Sequence, residues 1–237
     1  MAIFFKFIIS LISQKNIFML FSRKLKLNDI DDIANQISIK RRNFKIAVIE
    51  DNVFPVIKQL KKNDFHITHF KDIEKIDALS DYEIIITDIK GVGKKLNDEL
   101  QGAHLIKEIK RLYPLKYLIA YSASNFNPAY NKYFKLSDKA LKKDTSITEW
   151  IDYLDNAMEE LLNPKKQWEK TRNILINQGV DFKKIEKLEN LFVKSIKKKK
   201  PKVFSYQNII NQEEKSDIIM KQITEFLAIF IAELIKH

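Results

Sequence analysis

Residues 83–88 read EIIITD, a run of β-branched residues that ends in an aspartate. Three more apolar runs end in polar side chains: FKIAVIED at 44–51, YLIAYS at 117–122 and KALKK at 139–143. Short apolar runs of this kind are typical of strands covered on both faces of a sheet. The carboxyl ends of parallel strands meet at one edge of the sheet. The sequence therefore predicts that five polar side chains converge there: Glu50, Asp51, Asp88, Ser122 and Lys143.

The segments between these runs have helical spacing of their apolar residues, and FHITHF at 65–70 alternates as an outer strand does. The spacing predicts helices over 53–63, 72–79, 97–112 and 128–136. A last helix follows a capping box formed by Ser146 and Glu149. Five strand–helix units with short loops predict an α/β fold with a parallel sheet and helices on both faces.

Composition divides the chain into three parts. The formal net charge is +11, of which residues 1–43 carry +5 and residues 163–237 carry +7, so the middle is close to neutral. We expect an N-terminal apolar helix and linker helix at 1–43, an α/β domain at 44–162 and an all-helical segment at 163–237. The absence of cysteine excludes disulfides, zinc–thiolate sites and thiol nucleophiles.

Four segments of the middle part resemble the receiver domain of bacterial response regulators: KIAVIEDN, IIITDIKG, LIAYSAS and DKALKK. The resemblance covers roughly residues 44–162 and implies a doubly wound sheet of strand order 2-1-3-4-5, as in flavodoxin and CheY-like proteins. It implies an acidic pair, Glu50-Asp51, that binds Mg²⁺ together with Asp88. It also implies Asp88 as the phosphoacceptor, Ser122 followed by Ala123 as a reader of the phosphoryl group, and Lys143 as its counter-charge.

The residue chemistry agrees with this assignment, since carboxylate oxygens are the ligands that Mg²⁺ prefers. The implied function is a phosphorylation-controlled signalling protein in a two-component phosphorelay, with a sensor histidine kinase or a phosphotransfer protein as its partner. Such a protein is not a conventional enzyme; at most it catalyses its own phosphorylation and dephosphorylation. The alternative is a pseudo-receiver, a protein-interaction scaffold without phosphorylation.

The sequence departs from the receiver pattern at several places. Asp144 stands where receivers usually carry a proline, and Ile89-Lys90 stand where Met-Pro usually follows the phosphoacceptor. Gly102, which matches the glycine that opens the third receiver helix, comes several residues late, after the inserted residues 94–101. Ala140 stands where receivers usually carry an aromatic switch residue. The insertion is expected to form a lid or a partner loop, and the loss of the aromatic residue puts the usual switching route in doubt.

The flanks leave several interpretations open. Residues 2–21 are strongly apolar but contain Lys6 and Lys15, so they fit a membrane helix or in-plane anchor, a packing helix, or an oligomerisation helix. Residues 165–236 predict further helices, among them one from Ser216 to Lys236, for self-association or a protein partner. Lys197–Lys202 and Arg41-Arg42 offer a basic surface for nucleic acid. The expected location is the cytoplasm, with membrane attachment through 1–21 as an option.

Overall fold

The computed structural model describes residues 25–36, 39–97, 99–123, 130–199, 227–228 and 230–231. At its centre lie five strands: β1 Lys45–Ile49, β2 His66–Phe70, β3 Ile84–Asp88, β4 Tyr117–Ser122 and β5 Lys139–Lys142. Their order is β2-β1-β3-β4-β5, and every neighbouring pair is parallel. The predicted fold class is confirmed, and the alternating segment FHITHF forms an edge strand as expected.

Helices cover both faces of the sheet. They are α1 Ile57–Lys62, α2 Gly102–Leu112, α3 Asn131–Phe134 and α4 Ile147–Leu162, together with a 3-10 helix at Ile76–Leu79. Alternate residues of β1 enter opposite cores: Ile46 and Val48 pack with residues of α1 and α4, whereas Ala47 and Ile49 pack with α2. Burial on both faces explains why these strands are apolar throughout.

Three of the predicted helices begin later than the spacing predicts, and the one predicted at 72–79 is the 3-10 helix at Ile76–Leu79. The predicted helix at 53–63 begins at Ile57, because Phe54 is buried between the rings of Tyr121 and Trp150, at centroid distances of 5.4 and 5.2 Å. The predicted helix at 97–112 begins at Gly102, because Gln101 has a φ of 50° and so lies outside the right-handed helical region. The predicted capping box of α4 is present.

A second core lies beyond the sheet. It is formed by α5 Pro164–Asn177, α6 Phe182–Lys197 and a 3-10 helix at Leu27–Gln36. Trp168 of α5 stacks on Phe192 of α6 at 5.2 Å between ring centroids, and Ile30 packs into the same cluster. Segments that precede and follow the sheet in the sequence therefore share one hydrophobic core.

A buried ion-pair network joins α5 to the sheet. The Asp138 carboxylate precedes β5 and accepts hydrogen bonds from Lys170 Nζ of α5 at 2.8 Å and from Lys110 Nζ of α2. It also accepts the backbone N–H of Leu118 at 2.8 Å. A single carboxylate thus links a sheet strand and helices from both cores.

Several predictions concern residues outside the described ones. These are the apolar segment 1–21, Lys200–Lys202 and most of the helix predicted from Ser216 to Lys236, of which residues 227–228 and 230–231 are described and helical. In the part of the chain that the structure describes, no helix has the length and apolar character needed to cross a membrane.

Candidate functional site

The five polar side chains predicted to converge all follow or end strands of the sheet at its carboxyl edge. Glu50 and Asp51 follow β1, Asp88 ends β3, Ser122 ends β4 and Lys143 follows β5. The strand pairing sets their positions, because β1 and β4 both pair with β3, and β5 pairs with β4.

Lys143 joins the two buried acids of this edge. Its Nζ lies 2.6 Å from Asp88 Oδ2 and 2.7 Å from Glu50 Oε2. The carboxylate side chains of Glu50 and Asp88 are only 2% and 6% exposed, whereas the Lys143 side chain is 33% exposed. The Lys143 ammonium therefore bridges the carboxylates of Glu50 and Asp88, which come from two different strands, and it stays accessible to solvent.

The electrostatics of the site favour a further cation. Burial raises the pKa of Glu50, and the negative charge of Asp88 acts in the same direction, while the hydrogen bond from Lys143 opposes both. Burial lowers the pKa of Lys143, but its hydrogen bonds to Asp88 and Glu50 outweigh this and raise the pKa to about 12. Lys143 is therefore charged at neutral pH, and one ammonium faces three clustered carboxyl groups.

Backbone and side-chain donors fix the orientation of the two buried acids. Asp88 Oδ1 accepts the N–H of Ile89 at 2.6 Å, and Glu50 Oε1 accepts the N–H of Asn52 at 3.2 Å. The carbonyl of Glu50 lies 2.7 Å from His69 Nε2, so this nitrogen carries the proton and donates it. His69 on the neighbouring strand β2 thus holds the backbone of Glu50 in position and is not one of the clustered carboxylate groups.

Gly91 and Gln101 are site residues that the sequence analysis missed. Gly91 has a φ of 82°, and a Cβ atom there would lie 2.5 Å from Asp51 Oδ2. Its N–H donates to Gln101 Oε1 at 2.8 Å, so the inserted loop is tied to the turn after Asp88. No sequence signal indicates this bond, because it joins residues ten positions apart in a segment without periodicity.

Gly102 occupies the position expected from the receiver resemblance, at the start of α2. A Cβ atom at Gly102 would collide with the carbonyl oxygen of Asp88. The helix can therefore approach the end of β3 only with glycine at this position. The insertion before Gly102 changes the length of the loop but leaves this close contact in place.

Three carboxylates meet the geometric requirement for a metal site. One oxygen each of Glu50, Asp51 and Asp88 lies within 4.8 Å of the others. Glu50 and Asp88 are buried, whereas Asp51 is exposed and leaves the cluster open to solvent. Hard carboxylate oxygens with an open, hydrated side suit Mg²⁺, which keeps several waters and takes few protein ligands. The residues present therefore fit the ion that the sequence implied.

The aromatic switch position and its surroundings differ from the receiver pattern. Ala140 is exposed on β5, so it places no ring beside the site. Tyr121, the residue before Ser122, is instead 1% exposed and lies under the Lys143 ammonium, 5.1 Å from Nζ to the ring centroid. Tyr121 also contacts Phe54 and Trp150, with ring centroids 5.4 and 5.8 Å away. An aromatic cluster thus connects the site to α4.

No protein-family model matches the sequence, and no curated protein matches it. Among solved structures, a response regulator receiver domain protein from Clostridium thermocellum is 20% identical, with a TM-score of 0.41, over 48% of this chain and 94% of its own. A receiver domain of a Francisella response regulator is 22% identical, with a TM-score of 0.41, over 49% and 98%. A response regulator protein from Thermotoga maritima, solved with Mg²⁺ and BeF, is 18% identical, with a TM-score of 0.38, over 48% and 98%.

The strand order β2-β1-β3-β4-β5, parallel throughout and flanked by helices, is the order of CheY-like proteins. This half of the chain has the doubly wound fold that flavodoxin and CheY-like proteins share. The receiver-like half accounts for the sheet and for the carboxylate cluster. The second core, with α5 and α6, lies outside it.

Proposed function

We propose that this protein is a phosphorylation-controlled signalling protein that accepts a phosphoryl group on Asp88 in the presence of Mg²⁺. The observation that carries the proposal is the position of Lys143, whose Nζ lies 2.6 Å from Asp88 Oδ2 at the edge of the three-carboxylate cluster. Phosphoryl transfer depends mainly on positioning and on neutralising charge. The site combines a nucleophile, a cation and a set of metal ligands at one point.

Asp88 Oδ2 is the oxygen suited to attack, since Oδ1 is held by the N–H groups of Ile89 and Lys90, at 2.6 and 3.4 Å. In the proposed step the bond between phosphorus and its donor breaks, and a bond from Asp88 Oδ2 to phosphorus forms. The donor group, an imidazole or acetate, leaves with the electron pair. Lys143 then moves its hydrogen bond from the carboxylate to a phosphoryl oxygen, which its partial exposure permits.

Glu50, Asp51 and Asp88 would hold the metal ion. When bound, Mg²⁺ supplies positive charge that neutralises the phosphoryl oxygens during transfer. Ser122 ends β4, and its carbonyl accepts the N–H of Lys143 at 2.8 Å, so the two residues move together. We assign the Ser122 hydroxyl as the donor that reads the phosphoryl group and draws the following loop toward the site.

The output passes to the flanking helices, residues 163–237 in the predicted domain division. Two contacts support this route. Tyr121 and Phe54 pack on Trp150 of α4, and Asn163 is the single residue between α4 and α5. Asp138 ties the start of β5 directly to Lys170 of α5.

Beryllofluoride binding tests the proposal, because this anion complex mimics an aspartyl phosphate. Trp150 lies against Tyr121 beneath Lys143, so its fluorescence reports on the site; a Trp168→Phe background removes the other tryptophan. We expect a fluorescence change that requires both beryllofluoride and Mg²⁺ and that is lost in Asp88→Asn. Asp144→Asn is the matched control, since Asp144 is exposed beside Lys143.

The phosphorylation proposal fails if wild-type protein shows no Mg²⁺-dependent change in fluorescence while wild type and Asp144→Asn have the same melting temperature. That result would favour the pseudo-receiver, a scaffold that keeps the fold without phosphate control. A response that survives in Asp88→Asn would also contradict the proposal, because the ligand would then bind elsewhere.

A further inference from the structure

Helix α6, Phe182–Lys197, exposes a row of lysines on the side opposite its core. At 100° per residue, Lys183, Lys187, Lys194 and the C-cap residue Lys198 fall within about 60° of one another around the axis and extend over about 22 Å. All four are exposed. The apolar residues of the helix, Ile185, Leu188, Phe192 and Ile196, lie on the opposite side in the second core. We call these four lysines the lysine stripe.

The lysine stripe has no ion-pair partner among the described residues, in contrast to the cations of the neighbouring helix. On α5, Lys165 pairs with Asp31, Lys170 with Asp138, and Arg172 with Glu189. Lysines of α5 that touch the rest of the protein are thus neutralised within it. The charge of the stripe is instead directed outward, where it can be neutralised by another molecule.

The spacing of the stripe brings like charges together. Lys183 and Lys187 are four residues apart, as are Lys194 and Lys198, and like charges at this spacing destabilise a helix. The ends of the helix are otherwise favourable, because the N-cap carboxylate of Asp181 accepts two backbone N–H groups of the first turn and basic residues lie in the last turn. An anionic partner on this face would relieve the repulsion between the stripe lysines.

The path of the chain indicates which anion the stripe meets. Leu25, Leu27 and Ile30 pack into the same core as Ile185 and Leu188 of α6. The apolar segment 2–21, AIFFKFIISLISQKNIFMLF, ends four residues before Leu25, so at most about 14 Å of chain separates them. An apolar segment and a basic surface on one module are the two signals that together give stable attachment to a membrane.

Nucleic acid fits this face less well. Proteins that bind single strands combine basic grooves with aromatic side chains on which bases stack. Between the lysines of the stripe, the helix presents Asn190 and Leu191, and its exposed ring, Phe182, lies before the stripe and about 100° from Lys183 around the axis. The stripe lies on a convex helix surface, opposite the core, where a flat array of anionic headgroups can reach all four ammonium groups.

We propose that the lysine stripe of α6 binds the anionic headgroups of a lipid bilayer. The receiver-like half is thereby held at a membrane surface. This attachment does not depend on phosphorylation of Asp88, so it holds or fails separately from the proposed function.

Co-sedimentation of the full chain with vesicles tests the proposal. We expect wild-type protein to bind phosphatidylcholine vesicles that contain phosphatidylserine, and to bind them less well as the salt concentration rises. A variant with all four stripe lysines changed to glutamine should lose about a thousandfold in partition coefficient. The same four changed to arginine should retain binding, because the charge is kept.

The matched control changes four exposed lysines of the receiver-like half to glutamine, Lys61, Lys62, Lys71 and Lys75. It removes the same charge, and we expect less than about a threefold effect, since these positions lie away from the stripe. The melting temperature of the glutamine stripe variant should be no lower than that of wild type. This result would exclude misfolding as the cause of lost binding.

Three results would overturn the proposal. The first is equal binding of wild-type and stripe-variant protein to the anionic vesicles. The second is equal loss in the control variant, which would indicate net charge and no specific surface. The third is a wild-type protein that ignores anionic vesicles but binds a fluorescent DNA duplex through the stripe, which would make this face a nucleic-acid surface.

Discussion

Replacing Asp138 with asparagine removes a carboxylate that links the two cores. Its side chain is 16% exposed and pairs with two ammonium groups, those of Lys110 and Lys170, whose side chains are 14% and 22% exposed. Removing one partner of a buried ion pair costs about 3 to 5 kcal/mol, because the remaining charge stays buried without a counter-charge. Partial exposure of Lys170 lowers this figure, so we expect Asp138→Asn to reduce the free energy of unfolding by about 3 kcal/mol.

The two tryptophans allow each core to be followed separately. Trp150 is buried in the sheet core and Trp168 in the helical core. In urea, with one tryptophan at a time changed to phenylalanine, we expect the two wild-type transitions to coincide. In Asp138→Asn the Trp168 transition should move to lower urea than the Trp150 transition. If the free energy of unfolding falls by about 2 kcal/mol for each molar of urea, a loss of about 3 kcal/mol lowers the midpoint of the Trp168 transition by about 1.5 M urea.

A double variant, Asp138→Asn with Lys110→Met, controls for the origin of the loss. It removes one of the orphaned ammonium groups and should recover part of the stability. The reasoning is refuted if Asp138→Asn shifts neither transition by more than about 0.3 M, since a buried charge-neutralising group cannot have so small an effect.

Two further predictions concern single sites. Gly91→Ala should weaken Mg²⁺ binding at least about tenfold in isothermal titration calorimetry, because the added Cβ would press on the Asp51 carboxylate. Gly179→Ala is the control: this glycine also has a positive φ, 74°, but open space surrounds it, so Mg²⁺ binding should be unchanged. Equal binding by both variants would contradict the geometry. Burial and the charge of Lys170 lower the pKa of Lys110 to about 8, so between pH 8 and 10 the unfolded chain binds more protons than the folded one and stability should rise with pH. Burial also lowers the pKa of Lys116 to about 8, so both lysines contribute to the rise. We expect Lys110→Met to reduce the rise by about 2 kcal/mol in urea titrations and to keep the part due to Lys116; a rise of unchanged size in the variant would show that Lys110 does not contribute.

Local patterns were sufficient for the sheet and for the convergence of the acids. The apolar runs before Glu50, Asp88 and Ser122 defined the strands, since a strand buried on both faces is apolar along its whole length. The same holds for the capping box at Ser146, whose partner Glu149 is only three residues away. In both cases the deciding interactions lie within a few residues or follow from strand alternation.

Contacts between segments that are distant in the sequence could not be predicted, because no local sequence pattern indicates them. The sequence predicted a linker helix within residues 1–43, but nothing in it indicated that Ile30 would lie in the same core as Phe192, far along the chain. Nor could the sequence show that Gln101 would accept the N–H of Gly91, because side-chain bonds across a loop depend on the final backbone path. The helix predicted from residue 97 was too long for the same reason.

The most direct test of the proposed function is the intact mass of the protein after reaction with acetyl phosphate and Mg²⁺. The account predicts the added mass of one phosphoryl group on wild-type protein, none on Asp88→Asn, and none when Mg²⁺ is removed with a chelator. Wild-type protein that stays unmodified, or Asp88→Asn that is modified to the same extent, would contradict the assignment of Asp88 as the phosphoacceptor.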